Sequence, residues 1–168
     1  MRMNQHMRGL LAGGPVNPFA TELPCELQDY VEAGWMADSS GALLLSALAR
    51  GASSTPVGPA HVAEREYEVN DVYVPNADLV EHPETYLLAI TLRGLSFAAR
   101  MLERAQGSPN AKSLVAAVST GVDDDFLTHG TTVKFFTRRG DYPQWFNDLE
   151  RFGIEAMAVL DSSDLAPG

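Results

Sequence analysis

The apolar positions from residue 64 onward change spacing in a regular order. Over residues 64–69 they alternate, with Tyr67 and Val69 on one side and Glu64, Glu66 and Glu68 on the other. That is the period-two pattern of a half-buried strand. The phase slips at Asn70-Asp71 and resumes at Val72 and Val74, as a bulge or tight turn would cause. A long helix is predicted from His82-Pro83 to Gln106, since proline suits a first helical turn. Leu88, Leu92, Leu95, Ala99 and Leu102 follow the spacing of a buried stripe. Residues 113–118 are apolar on both faces and read as a central strand. Residues 131–137 are β-branched and aromatic and read as another. A second helix is predicted over 141–153, with Asp141 as cap and Pro143 in the first turn. Tyr142, Trp145, Phe146, Leu149 and Phe152 would share its inner face, and residues 154–160 form the last strand.

The predicted order over residues 64–161 is therefore strand, helix, strand, strand, helix, strand. It is the βαββαβ order of a ferredoxin-like fold, a two-layer α+β sandwich. Before it, residues 24–36 and 40–50 carry helical spacing, with Leu44, Leu45 and Leu48 on one side of the second. Proline- and glycine-rich stretches at 12–18 and 51–59, and a polar tail, punctuate the chain. The expected organisation is an N-terminal helical arm over 1–60, an α+β domain over 61–161 and a tail over 162–168. This pattern serves many activities and decides none by itself.

Composition narrows the classes. The 168 residues are 45% hydrophobic and 20% charged, enough to build one core. No apolar run reaches the roughly 18 residues a membrane span needs. The apolar stretch after Arg8 is only four residues long, too short for an export signal, so a cytoplasmic location is expected. A single cysteine, Cys25, excludes an internal disulfide and fits a reducing compartment. The formal charge is −10. Residues 61–168 carry most of it, which argues against a nucleic-acid surface and favours a basic partner.

Four constellations could carry chemistry. Asp123, Asp125 and His129 offer oxygen and nitrogen donors for one divalent metal ion, but their spacing is that of no calcium loop. The bland alternative is a solvated acidic turn. Glu64, Glu66 and Glu68 would stand side by side on the predicted strand, as a binding row or as a charged outer face. Arg93, Arg100 and Arg104 fall on one side of the long helix and could bind an acidic group. The tripeptide Arg139-Gly140-Asp141 spells an adhesion signal, which we read as coincidence. No phosphate loop, dinucleotide fingerprint or nucleophile elbow is present.

The expected function is a small, non-enzymatic binding or assembly protein without a cofactor (a regulator, an inhibitor or a particle component), acting on a protein partner or by self-association. The motive is structural. A two-layer sheet leaves one apolar face bare, and the arm or a second subunit would cover it. The competing expectation is a small metal-assisted or acid–base hydrolase built on the Asp123–His129 loop.

Overall fold

The computed structural model of the chain describes residues 1–13, 17, 19–49, 58–140 and 143–165. In chain order the elements are β1 (Arg2–Met3), α1 (Gln5–Leu10), α2 (Cys25–Ala33), β2 (Trp35–Ala37), β3 (Leu43–Leu45) and α3 (Pro59–Val69). They continue with β4 (Asp71–Tyr73), α4 (Pro83–Arg104), β5 (Leu114–Gly121), α5 (Phe126–His129), β6 (Thr131–Thr137) and β7 (Glu155–Asp161). The architecture is mixed α+β. A five-stranded sheet has the order β1-β7-β5-β6-β4, and β2 pairs with β3 in a separate hairpin. All neighbouring strands among the described residues are antiparallel. No described helix is long and apolar enough to cross a membrane.

α4 lies across the inner face of the sheet. Its Ile90, Phe97, Ala98 and Met101 pack with Leu114, Ala116, Val118, Val133, Phe135 and Leu160 in one buried cluster. Met7, Leu11, Leu23, Leu27, Leu43 and Leu45 belong to that same cluster. β1 pairs Arg2 with Val159 and Met3 with Ala158. The Asn4 side chain then extends the ladder, donating to Glu155 O (2.7 Å) and accepting from Met157 N (3.0 Å).

Several predicted elements are corrected. Residues 64–69 are helical, within α3. Alternation over six residues is also compatible with a helix, and burial decides the outcome: Val62, Glu66 and Asn70 all face inward at four-residue spacing. Glu66, on the predicted outer face, is fully buried. The segment expected as a helix at 40–50 holds β3 instead, with Leu43 and Leu45 in one apolar cluster and Leu44 in another. α2 stops at Ala33, and Trp35–Ala37 turn back as β2. Of the stripe expected on α4, Leu95, Ala99 and Leu102 are buried and Leu92 packs against the core, so that only Leu88 is exposed; Tyr86, Ile90, Phe97 and Met101 join them inside.

The second helix of the expected pattern is also replaced. Residues 141 and 142 lie outside the described residues, and two short 3₁₀ turns, Gln144–Asn147 and Leu149–Arg151, follow. Asp148 separates them in an extended conformation, and its carboxylate accepts from Glu150 N at 3.1 Å. The described residues thus do not reproduce the ferredoxin-like βαββαβ order. The aromatic residues still reach the sheet. Phe146 stacks on Phe136 (5.5 Å between centroids) and packs against Phe152 (6.0 Å).

This segment covers one half of the outer sheet face. Phe146 and Leu149 bury Val115, Ala117, Phe136, Met157 and Val159. Arg2 holds the cover by donating to Phe146 O (2.7 Å) and Asn147 O (3.0 Å). The expectation that the arm or a second subunit shields this apolar half is therefore corrected: the 144–152 segment does so.

Candidate functional site

The other half of the outer face is polar and open. Along β5 the outward residues are Val115, Ala117, Ser119 and Gly121, and register places Lys134, Thr132, Met157 and Glu155 beside them. Where the apolar cover ends, Ser119, Gly121, His129, Gly130, Thr132, Ile154 and Glu155 line a cavity of about 310 Å³.

Local sequence builds each wall. The loop after β5 is pinned by Val122 N donating to Ile154 O (3.0 Å), and by Phe126, which packs on Tyr86 at 5.6 Å between centroids. This brings the single turn of α5, and His129 at its end, back against the strand. Gly121 is required there: a Cβ would meet the His129 Cβ at 2.5 Å. Gly130 has φ +61°, and a Cβ would meet the Tyr73 hydroxyl at 2.5 Å. Two glycines thus admit the imidazole and the phenol as neighbours of the cavity.

Hydrogen bonds orient these groups. His129 Nδ1 and Asp123 Oδ1 lie 2.9 Å apart, which leaves Nε2 as the open ring nitrogen. The Ser119 hydroxyl donates to Glu155 Oε2 at 2.8 Å. Asn76 Nδ2 donates to the Tyr73 oxygen at 2.9 Å. Burial raises the Tyr73 pKa above its ordinary value, and the nearby Tyr86 phenol adds to this, against the lowering effect of Asn76. Tyr73 is therefore neutral at physiological pH. Lys134 marks the border with the apolar half, paired to Asp71 at 2.7 Å and lying 4.5 Å from the Tyr67 ring centre.

Of the sequence candidates, Asp123 and His129 come together, whereas Asp125 and Asp124 are exposed on the loop. Asp123 and His129 are hydrogen-bonded to each other, and the expected third ligand, Asp125, is exposed on the loop. Among the described residues no group of three or more His, Cys, Asp or Glu side chains is placed to hold a metal. The other candidates are separated. Glu64 and Glu68 are exposed on α3. Glu66 Oε2 accepts from Thr137 N (2.6 Å) and Thr137 Oγ1 (2.5 Å), and its Oε1 accepts from Leu43 N (2.8 Å).

The arginines form no exposed stripe. Arg93 is buried and forks onto Asp78 at 2.8 and 2.6 Å. Arg100 donates to Phe19 O and Thr21 O, and Arg104 lies over Gly34. Arg139, of the adhesion-like tripeptide, turns inward to Thr137 Oγ1 and Gly41 O. Cys25 is exposed at the start of α2.

Sequence reasoning missed Ser119, Glu155, Thr132 and Tyr73. The available signal was register: Ser119-Thr120 ends the apolar run of β5, and Glu155 is the polar residue that opens the last strand. Neither carries meaning until strand pairing sets them side by side.

Comparison of the chain with protein-family models, curated proteins and solved structures gave no match.

Proposed function

We propose that the protein is a non-enzymatic binding protein of the regulator or inhibitor kind, which docks a basic protein partner through the open half of its sheet. The observation that carries this is the composition of the cavity's surroundings. Among the described residues, seven large hydrophobic side chains have 40% or more of their surface exposed, and three of them belong to the elements around the cavity: Tyr73 (48%), Leu127 (41%) and Ile154 (57%). Tyr73 lies against Gly130, Ile154 lines the cavity, and Leu127 is on the turn that carries His129. Apolar anchors beside a pocket are the usual centre of a protein interface.

Charge selects the partner. Among the described residues, no cation pairs with Asp124, Asp125 or Glu155. A second copy of a chain with charge −10 would bring like charge to like. A basic, different protein fits, and the expected self-association is the weaker version of the reading.

The test is an NMR titration of the labelled protein with a cationic peptide of mixed Arg, Lys, Leu and Tyr. Its counterpart with Glu at every basic position is the control. The reading expects saturable shifts at Gly130, Thr132, Ile154 and Glu155, weakened at about 0.5 M salt. Silence at these positions, or an equal response to the acidic peptide, overturns it.

The Asp123–His129 contact supports a second reading, an acid–base hydrolase with Nε2 as the proton carrier. Turnover of an activated ester or phosphoester, abolished by His129→Asn, is its expectation. Hydrolysis no faster than buffer removes it.

A further inference from the structure

We infer that the cavity is a receptor for one arginine side chain of the partner, with Glu155 as its counter-charge. This rests on the docking reading above and deepens it. Two other carboxylates withdrawn from solvent have a cation beside them, Asp38 with Arg65 at 2.8 Å and Glu66 with Arg139 at 3.6 Å, and half-buried Asp161 is held by Ser163 N and Oγ. Glu155 has only the Ser119 hydroxyl, on Oε2. Its Oε1 accepts from no described group, and the residue lines a cavity of about 310 Å³.

The remaining walls suit a guanidinium. Thr132 supplies a hydroxyl acceptor, and the exposed Ile154 offers apolar surface for the three-carbon stem. The one basic group on the wall, His129, has Asp123 on its other nitrogen, which offsets whatever charge the ring carries. A planar cation with five donors can reach Glu155 and a neighbouring hydroxyl at once. A lysine ammonium reaches only as a point charge and, being more strongly hydrated, gives up more water on entry.

The probes are N-acetyl-arginine amide, its lysine analogue, and the citrulline analogue, which keeps the shape of arginine without the charge. Each is titrated into the labelled protein. Arginine amide is expected to shift the Ser119, Thr132, Ile154 and Glu155 amides, lysine amide more weakly, and citrulline amide not at all. Glu155→Gln keeps an acceptor for Ser119 and is expected to weaken the arginine response about tenfold or more. An Asp124→Asn/Asp125→Asn variant, altered only on the exposed loop, is expected to keep it. Equal shifts with citrulline, or an unchanged response in Glu155→Gln, overturn the inference. If the cationic peptide still binds while arginine amide leaves the cavity amides unmoved, the receptor falls and the docking face stands. If neither binds, both fall.

Discussion

Glu66 and Glu155 flank the same sheet, and their surroundings are opposite. Glu66 sits on α3 with no exposed surface. Its two oxygens accept from Leu43 N, Thr137 N and Thr137 Oγ1, with Arg139 nearby. One turn on, Asn70 accepts from Leu45 N (2.8 Å) and donates to Leu43 O (2.8 Å) and Phe135 O (3.2 Å). These two side chains do the work of a missing strand neighbour, joining the backbone of β3 to that of β6. Glu155, by contrast, is held by one hydroxyl beside open space. A buried carboxylate whose acceptors are all used holds a fold together. A half-exposed one with an idle oxygen at a cavity wall is available to something outside the chain. The difference separates architecture from recognition where residue type alone cannot.

The strongest way to break the contrast is to make the same change at both positions. Glu66→Gln puts an amide NH₂ where an acceptor is needed, so that one of Leu43 N–H and Thr137 N–H faces a donor. The expected loss is about 3–5 kcal/mol, the range for disrupting a buried charge within its network. Urea unfolding measures it. A loss below 1 kcal/mol would mean that β3 is held by its leucines alone.

A smaller effect is expected where the cavity depends on shape. Gly121→Ala drives a methyl into the His129 Cβ, which must move with its turn. The cost expected is about 1–3 kcal/mol. The accompanying change is local: the His129 and Asp123 resonances shift, while those around Glu66 stay in place. A variant as stable as the parent with His129 unmoved would show that the turn accommodates the methyl.

This contrast also explains how much could be read from the sequence. The long helix, the strand at 131–137 and the flanking strands were legible because burial on one face repeats over many residues. Trp145, Phe146, Leu149 and Phe152 do meet the sheet, but on the face opposite α4 and not beside it, and spacing did not show that Asp148 interrupts the helix. Residues 64–69 were misread because a row of glutamates looks solvated. What buries Glu66 is a set of partners as far away as Thr137, and no local pattern carries that information. At the site, Asp123 and His129 were legible as neighbours along the chain. Glu155 and Ser119 were not, since their pairing depends on the register of β7 against β5.

Asp38 tests the clamp from its other end. It lies in the turn between β2 and β3, where its Oδ1 accepts from Ser40 N, Ser40 Oγ and Ala42 N, and its Oδ2 meets Arg65 at 2.8 Å. Burial alone would raise its pKa. The hydrogen bonds from Ser40 and Ala42, with the Arg65 charge, outweigh burial and leave the carboxyl below its ordinary 3.8. A carboxyl depressed in the folded state stabilises the fold above its unfolded pKa. That contribution is lost as pH falls through the lower folded value. Asp38→Asn is therefore expected to cost about 1 kcal/mol at pH 7, with the gap to the parent closing at acid pH. A gap that stays constant from neutral pH to pH 2 would assign the effect to shape and not to charge.

The smallest expected change in stability is the most informative. Glu155→Gln is the substitution already made at position 66, on the same side chain, beside the same sheet. Here the amide keeps an acceptor for Ser119 and turns its NH₂ toward the cavity, where no described donor opposes it. No ion pair is broken, because none is made. Stability should stay within about 0.5 kcal/mol of the parent, as for a substitution that leaves no buried group unpaired. If Glu155→Gln instead destabilised the protein as strongly as Glu66→Gln, the carboxylate would be a structural tie whose partner is closer than the geometry places it. A neutral outcome, together with a lost arginine response, would show a charge that the fold does not use and a partner does.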